Sequence, residues 1–88
     1  MARVVMYTTR TCPYCRMAEQ LLHHKGVTAE HVLVDAEPER RNEMTRLTGR
    51  TSVPQIFING RHVGGYQELA ELNRRGELDT LLRTEPTA

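Results

Sequence analysis

An α/β fold, with a mixed four-stranded sheet flanked by helices in the order β-α-β-α-β-β-α, is what this 88-residue sequence predicts. Three observations predict it. A strand-like run, a stretch of helical period and a second strand-like run follow one another within residues 3–34, the signature of a right-handed parallel βαβ unit. The dipeptide Asn59-Gly60 lies between two β-branched runs, the strongest short-range hairpin signal. Leucines at helical spacing, from Leu69 to Leu82, follow the hairpin.

The elements follow in order. Arg3–Thr8 is short, β-branched and aromatic, and its apolar residues are consecutive, as in a strand buried on both faces. From Pro13, suited to the first helical position because it has no N–H to leave unpaired, the period becomes helical. Tyr14, Met17, Ala18, Leu21 and Leu22 are expected on its inner face, and Lys25-Gly26 closes it. Thr28–Val34 reads as the second strand. Pro38 opens a second helix with Glu37 and Glu39 at its positive end, Met44 and Leu47 pointing inward and Gly49 stopping it. Val53–Ile58 and Arg61–Val63 are the hairpin strands, and Gly64-Gly65 breaks the chain again. Leu69, Leu72, Leu78, Leu81 and Leu82 form the apolar face of a last helical region interrupted near Gly76, with residues 84–88 expected as a frayed tail.

Composition bounds the function. A chain this short holds one small core, so a single domain over residues 1–88 is expected. Twelve Lys/Arg against eleven Asp/Glu leave a net charge of +1, too weak a field to collect phosphates, and no nucleic-acid partner is expected. The apolar runs are far short of the ~20 residues that span a bilayer, so no membrane association is expected either. Two cysteines are too few for a secreted disulfide scaffold, and with no leader segment visible the expected location is the reducing cytoplasm.

Those two cysteines carry the chemistry. Cys12-Pro13-Tyr14-Cys15 sits where the first strand hands over to the first helix, and a CxxC in that βαβ context is a redox motif. Cys12 falls at the helix N-cap, where unpaired N–H groups and the macrodipole favour a negative charge and hence a thiolate. Cys15 lies one turn in, within bonding reach but further from that positive end. Cys12 is therefore expected as the exposed attacking thiolate and Cys15 as the partly buried thiol that resolves a mixed disulfide. A merely structural staple closing so short a loop would contribute only about 2 kcal/mol. A zinc site needs four ligands in recognisable pairs, and His23, His24, His31 and His62 are not at ligand spacing to the cysteines, so no metal is expected.

Thr11-Cys12-Pro13-Tyr14-Cys15, together with Thr51–Gly60 and the pair Gly64-Gly65, resembles the glutaredoxins, especially the small bacterial dithiol type, from about Arg3 to Arg83. The element order is also that of a minimal thioredoxin-like fold. The resemblance implies an enzyme, a glutathione-dependent oxidoreductase with glutathione as co-substrate, acting on protein disulfides and glutathione mixed disulfides. It implies catalytic Cys12 and Cys15, a cis Pro54 facing them, and Val53 offering its backbone to the cysteinyl part of glutathione. Tyr14, Thr51 and Ser52 would line the same groove, and Gly65, Tyr66, Gln67 and Glu68 would receive the γ-glutamyl end.

Two positions depart from the family pattern. The family lysine three residues before the first cysteine is here Thr9, with Arg10 beside it as the expected substitute. After the glycine pair, Tyr66-Gln67-Glu68 replaces a cysteine followed by two acidic or hydroxyl residues. Arg40, Arg41 and Arg50 stand where they could reach a glutathione carboxylate, with solvated surface the favoured reading, and Arg74-Arg75 read as complements to a helix dipole. Implied partners are glutathionylated or disulfide-containing proteins, ribonucleotide reductase among them, and glutathione reductase acting indirectly through glutathione. A monomer is expected. Two alternatives stay open: an electron donor reduced by thioredoxin reductase, and a module holding an iron–sulfur cluster through Cys12, against which Pro13 counts.

Overall fold

The computed structural model of the chain describes residues 2–85. Its order is β1 (Val4–Thr8), α1 (Pro13–His24), β2 (Glu30–Leu33), α2 (Pro38–Thr48), β3 (Gln55–Ile58), β4 (Arg61–Gly64), α3 (Tyr66–Arg74) and α4 (Glu77–Arg83). The strands form one sheet in the order β2-β1-β3-β4. β1 pairs parallel with β2, Tyr7 opposite Val32, and antiparallel with β3, Met6 opposite Ile56, so the sheet is mixed as expected. β3 and β4 make the antiparallel hairpin, with Ile58 opposite Arg61 and a register irregularity beside Phe57.

Alternation along the strands divides the apolar residues between two faces. Val4, Met6, Ile56 and Ile58 face the larger core with Ala18 and Leu22 of α1, Leu69 of α3 and Leu78 and Leu82 of α4. Val5, Tyr7 and Phe57 face the other way, with Val32, Val34 and Met44 of α2. One face thus carries three helices and the other carries one. Tyr7 and Phe57 meet edge to face at 5.8 Å, and the Tyr7 hydroxyl donates to Glu43 of α2 at 2.6 Å.

The structure corrects several expectations. The last helical region is two helices, because Gly76 takes a left-handed conformation (φ +76°) that an α-helix cannot contain. Helix α1 turns Cys15, Ala18 and Leu22 inward, spaced three and four residues apart, and Tyr14 and Met17 stay exposed. Ala18, in the middle of that stripe, has no exposed surface and belongs to the larger core. Leu47 is likewise exposed, leaving Met44 as the buried side chain of α2. β1, β2 and β3 are shorter than the β-rich runs that announced them, whereas β4 runs one residue further, to Gly64. Of the segment expected to fray, Thr84 is held by Asn59 Nδ2, which donates to its carbonyl at 2.9 Å, and residues 86–88 lie outside the described residues.

Candidate active site

Three chain turns converge at one end of the sheet. The loop after β1 brings Cys12 to the N-cap of α1, the loop after α2 brings Val53-Pro54 to the start of β3, and the turn after β4 brings Gly65 to the N-cap of α3. Cys12 Sγ accepts a hydrogen bond from the Cys15 backbone N–H at 3.1 Å, satisfying one of the amides that a helix start leaves unpaired. The same sulfur lies 3.9 Å from the Val53 carbonyl oxygen, to which its S–H can donate. The Val53-Pro54 peptide is cis.

Both thiols are free, and both are well covered: Cys12 keeps 9 % of its surface and Cys15 4 %. The expected contrast between an exposed Cys12 and a buried Cys15 is therefore small in area. Burial pushes the Cys15 thiol up to about 11, with its hydrogen bond to Cys12 adding to the rise and bonds from Thr8 and Thr9 opposing it.

Beside Cys12 opens a groove of about 240 Å³. Tyr14, Ser52, Val53, Pro54 and Gly65 through Glu68, all expected from the sequence, line it together. The Tyr14 and Tyr66 rings face each other at 6.2 Å. Gly65 admits the close approach of the two walls: a Cβ there would stand 3.3 Å from the Pro54 carbonyl oxygen. At the far end, Glu68 Oε1 accepts from the Gly65 N–H at 2.7 Å and from Arg50 Nη1 at 2.7 Å. The Gly65 amide first, and then Arg50, hold the Glu68 carboxyl below its ordinary range.

Two expected residues stand elsewhere. Arg10 pairs with Asp35, Nε to Oδ2 at 3.2 Å, and lines a separate cleft with Cys12, Cys15 and Arg16. A carboxylate in the loop after β2 thus holds Arg10 apart from the groove lining. Thr51 is exposed and outside the groove lining, its carbonyl accepting from Arg41 at 3.0 Å. In their place the groove takes Arg50, for which a carboxylate contact was the less favoured of two expectations, and Gln55, which was not anticipated. Gln55 is buried and donates to the Ser52 carbonyl at 3.0 Å while its Oε1 meets His62 Nε2 at 2.7 Å, fixing the loop that carries Ser52. Burial, and then Arg50, hold the His62 imidazole below its ordinary range. A lone polar residue heading an apolar strand was the available signal for Gln55.

Comparison with known proteins fits this geometry. The family model described as Glutaredoxin matches residues 4–63. Glutaredoxin 3 of Escherichia coli (strain K12) is 48% identical over 83 residues, covering 94% of this chain and all of the relative. A glutaredoxin of Neisseria meningitidis serogroup A is 52% identical over 83 residues, covering 93% of this chain and 98% of the relative. Among solved structures, the crystal structure of a buckwheat glutaredoxin–glutathione complex superposes with a TM-score of 0.86 at 27% identity, covering 92% of this chain and 76% of that one.

Proposed function

This chain belongs to the glutaredoxin family, a family of thiol-disulfide oxidoreductases with a redox-active cysteine pair, here Cys12 and Cys15, and from that premise we propose that it draws its electrons from glutathione. The observation that carries the reading is contiguity. The Cys12 sulfur lies 3.9 Å from the Val53 carbonyl at the rim of the groove, so a tripeptide joined to Cys12 through sulfur would extend along Val53-Pro54 toward Gly65 and Glu68. The buckwheat relative, whose structure holds glutathione, supports the same reading.

In the proposed mechanism the Cys12 thiolate attacks the glutathione sulfur of a mixed disulfide. The target's thiolate leaves and takes a proton from water, and Cys12 is left joined to glutathione. A second glutathione thiolate then attacks the glutathione sulfur, releasing the Cys12 thiolate and glutathione disulfide, which glutathione reductase recycles with NADPH. With a protein disulfide, Cys12 attacks one sulfur and frees the first thiol. Cys15 gives its proton to solvent and attacks the Cys12 sulfur, freeing the second thiol and leaving a Cys12–Cys15 disulfide that two glutathiones reduce. Tyr14, Ser52, Val53, Pro54 and Gly65 through Glu68 bind and orient the tripeptide, while Arg10 and Thr51 lie outside that set. The partners are proteins bearing glutathione adducts or disulfides in a reducing compartment.

The test is NADPH consumption with a glutathionylated peptide, comparing glutathione plus glutathione reductase against thioredoxin reductase alone. Turnover is expected with the first system and not the second. Turnover only with thioredoxin reductase would overturn the proposal in favour of the electron-donor reading.

A further inference from the structure

The far end of the groove is built around a carboxylate that is already neutralised. Glu68 is the third residue of α3, and one of its oxygens serves both the Gly65 N–H and Arg50 Nη1, each at 2.7 Å. The two side chains keep 48% and 39% of their surface, so the pair is open to whatever enters the groove. The γ-glutamyl end of glutathione carries an ammonium and a carboxylate on one carbon. A free acid at this point would select the ammonium, but an acid matched by a guanidinium offers it little net attraction. Arg50 engages Glu68 through one nitrogen and, with five N–H donors in a planar fork, retains others for an incoming carboxylate. Gln67, on the same turn of α3, adds an amide and no charge.

There is also room beyond the amine. Gln67 and Glu68 are shared with a neighbouring cleft of about 410 Å³ whose walls include Val63, Leu72 and Leu81. The same walls carry Arg61, His62, Glu71 and Arg75, with Glu71 paired to Arg74 and Arg75 to Glu77, and a small uncharged acyl group on the γ-glutamyl nitrogen would lie against the apolar side chains among them.

Resting on the glutathione reading above, we propose that Arg50 is a specificity-determining residue: by neutralising Glu68 it makes the groove recognise the γ-glutamyl carboxylate and disregard the amine, so that mixed disulfides of N-acylated glutathione are substrates alongside those of glutathione. Arg50 acts here through Glu68 and through the substrate carboxylate, remote from the reacting sulfurs.

The experiment uses one cysteine peptide carrying either glutathione or N-acetylglutathione as a mixed disulfide, with release of the peptide thiol followed in a single turnover by the full-length protein. The wild type is expected to process the two within about threefold of each other, the scale of a solvent-exposed ion pair. Arg50→Ala unmasks Glu68 and is expected to favour the free-amine adduct by about tenfold, the scale of one charge-assisted hydrogen bond. Arg50→Lys keeps the ion pair and should hold the wild-type ratio. The ratio is the readout because a general loss of groove structure would slow both adducts alike. A wild type that already rejects the acetylated adduct tenfold, or an Arg50→Ala ratio equal to the wild-type one, overturns this inference and leaves the glutathione reading intact. Failure to process either adduct, with protein disulfides still reduced, overturns both.

Discussion

Cys15 is the residue whose chemistry the fold alters most plainly. Burial raises its thiol to about 11, so near neutral pH it is protonated and the Cys12–Cys15 disulfide forms only through a small ionised fraction. Two outcomes follow. Alkylation of Cys15 in Cys12→Ser is expected to accelerate steadily with pH and to level only near that raised value, because burial, the larger cause, survives the substitution; levelling near the ordinary thiol value of ~8.5 would contradict it. In turnover, Cys12→Ser should lose all activity, whereas Cys15→Ser should keep the processing of glutathione adducts and lose most reduction of protein disulfides, as judged by assaying the two substrates in parallel. Equal losses in Cys15→Ser would show that glutathione cannot replace the internal thiol. The residues of the groove were largely legible in the sequence, because CPYC, SVP and GG mark the three turns that converge. The arginines were legible only in part, since Arg50 was the less favoured candidate and Arg10 the favoured one. A long side chain goes where its partner is, and neither Asp35 beside Arg10 nor Glu68 beside Arg50 is near in sequence.

The start of α3 shows how one element couples shape to charge. Gly64 holds φ at +123°, and a Cβ added there would stand 2.4 Å from Glu68 Oε1. Gly64→Ala should therefore expel the Glu68 carboxylate from the Gly65 amide and from Arg50, in addition to straining the backbone, at a cost of about 1–3 kcal/mol in denaturant unfolding. In a Glu68→Ala background the collision is gone, so the penalty should shrink toward the backbone strain alone; a fully additive double variant would rule the coupling out. The acid limb provides an independent check. Since the Glu68 carboxyl is held below its ordinary range, its contribution is present above that range and is lost as pH falls through the lowered value, so wild type and Glu68→Gln should differ at neutral pH and converge in acid. At this scale the sequence located every element, yet it misassigned faces. Helical spacing of apolar residues placed Tyr14, Met17 and Leu47 inward, although a helix against a sheet has one stripe to bury, and Cys15, Ala18 and Leu22 fill it in α1. The β-rich runs likewise overshot β2 and β3, because β-branched residues such as Thr28, Val34 and Val53 also serve in the loops beside them.

The molecule as a whole is lopsided. Three helices seal one sheet face, and α2 alone covers the other, with Met44 its buried side chain and the Tyr7–Glu43 hydrogen bond its polar tie. Met44→Ala should cost about 2–5 kcal/mol and, more tellingly, α2 amides should lose hydrogen-exchange protection ahead of those in β1 and β3. Leu69→Ala, on the three-helix face, should lower protection throughout; uniform loss in both variants would mean that α2 is no separate unit. The sequence shows the layers, but not this imbalance, since the loops, rather than the periodicities, decide which helix crosses to which face. At the edge opposite the cysteines, Asn59 accepts from the Arg3 N–H at 2.8 Å through Oδ1, donates its own N–H to the Arg3 carbonyl at 2.8 Å, and donates through Nδ2 to Thr84, while the Ala2 N–H reaches the Leu82 carbonyl at 3.1 Å. Both ends of the described chain are thus tied to one hairpin tip, away from Cys12. Among the described residues the fold is almost a ring: a short peptide linking Ala2 to Glu85 would close it, and reopening at another exposed loop is expected to give a circular permutant that keeps its redox chemistry.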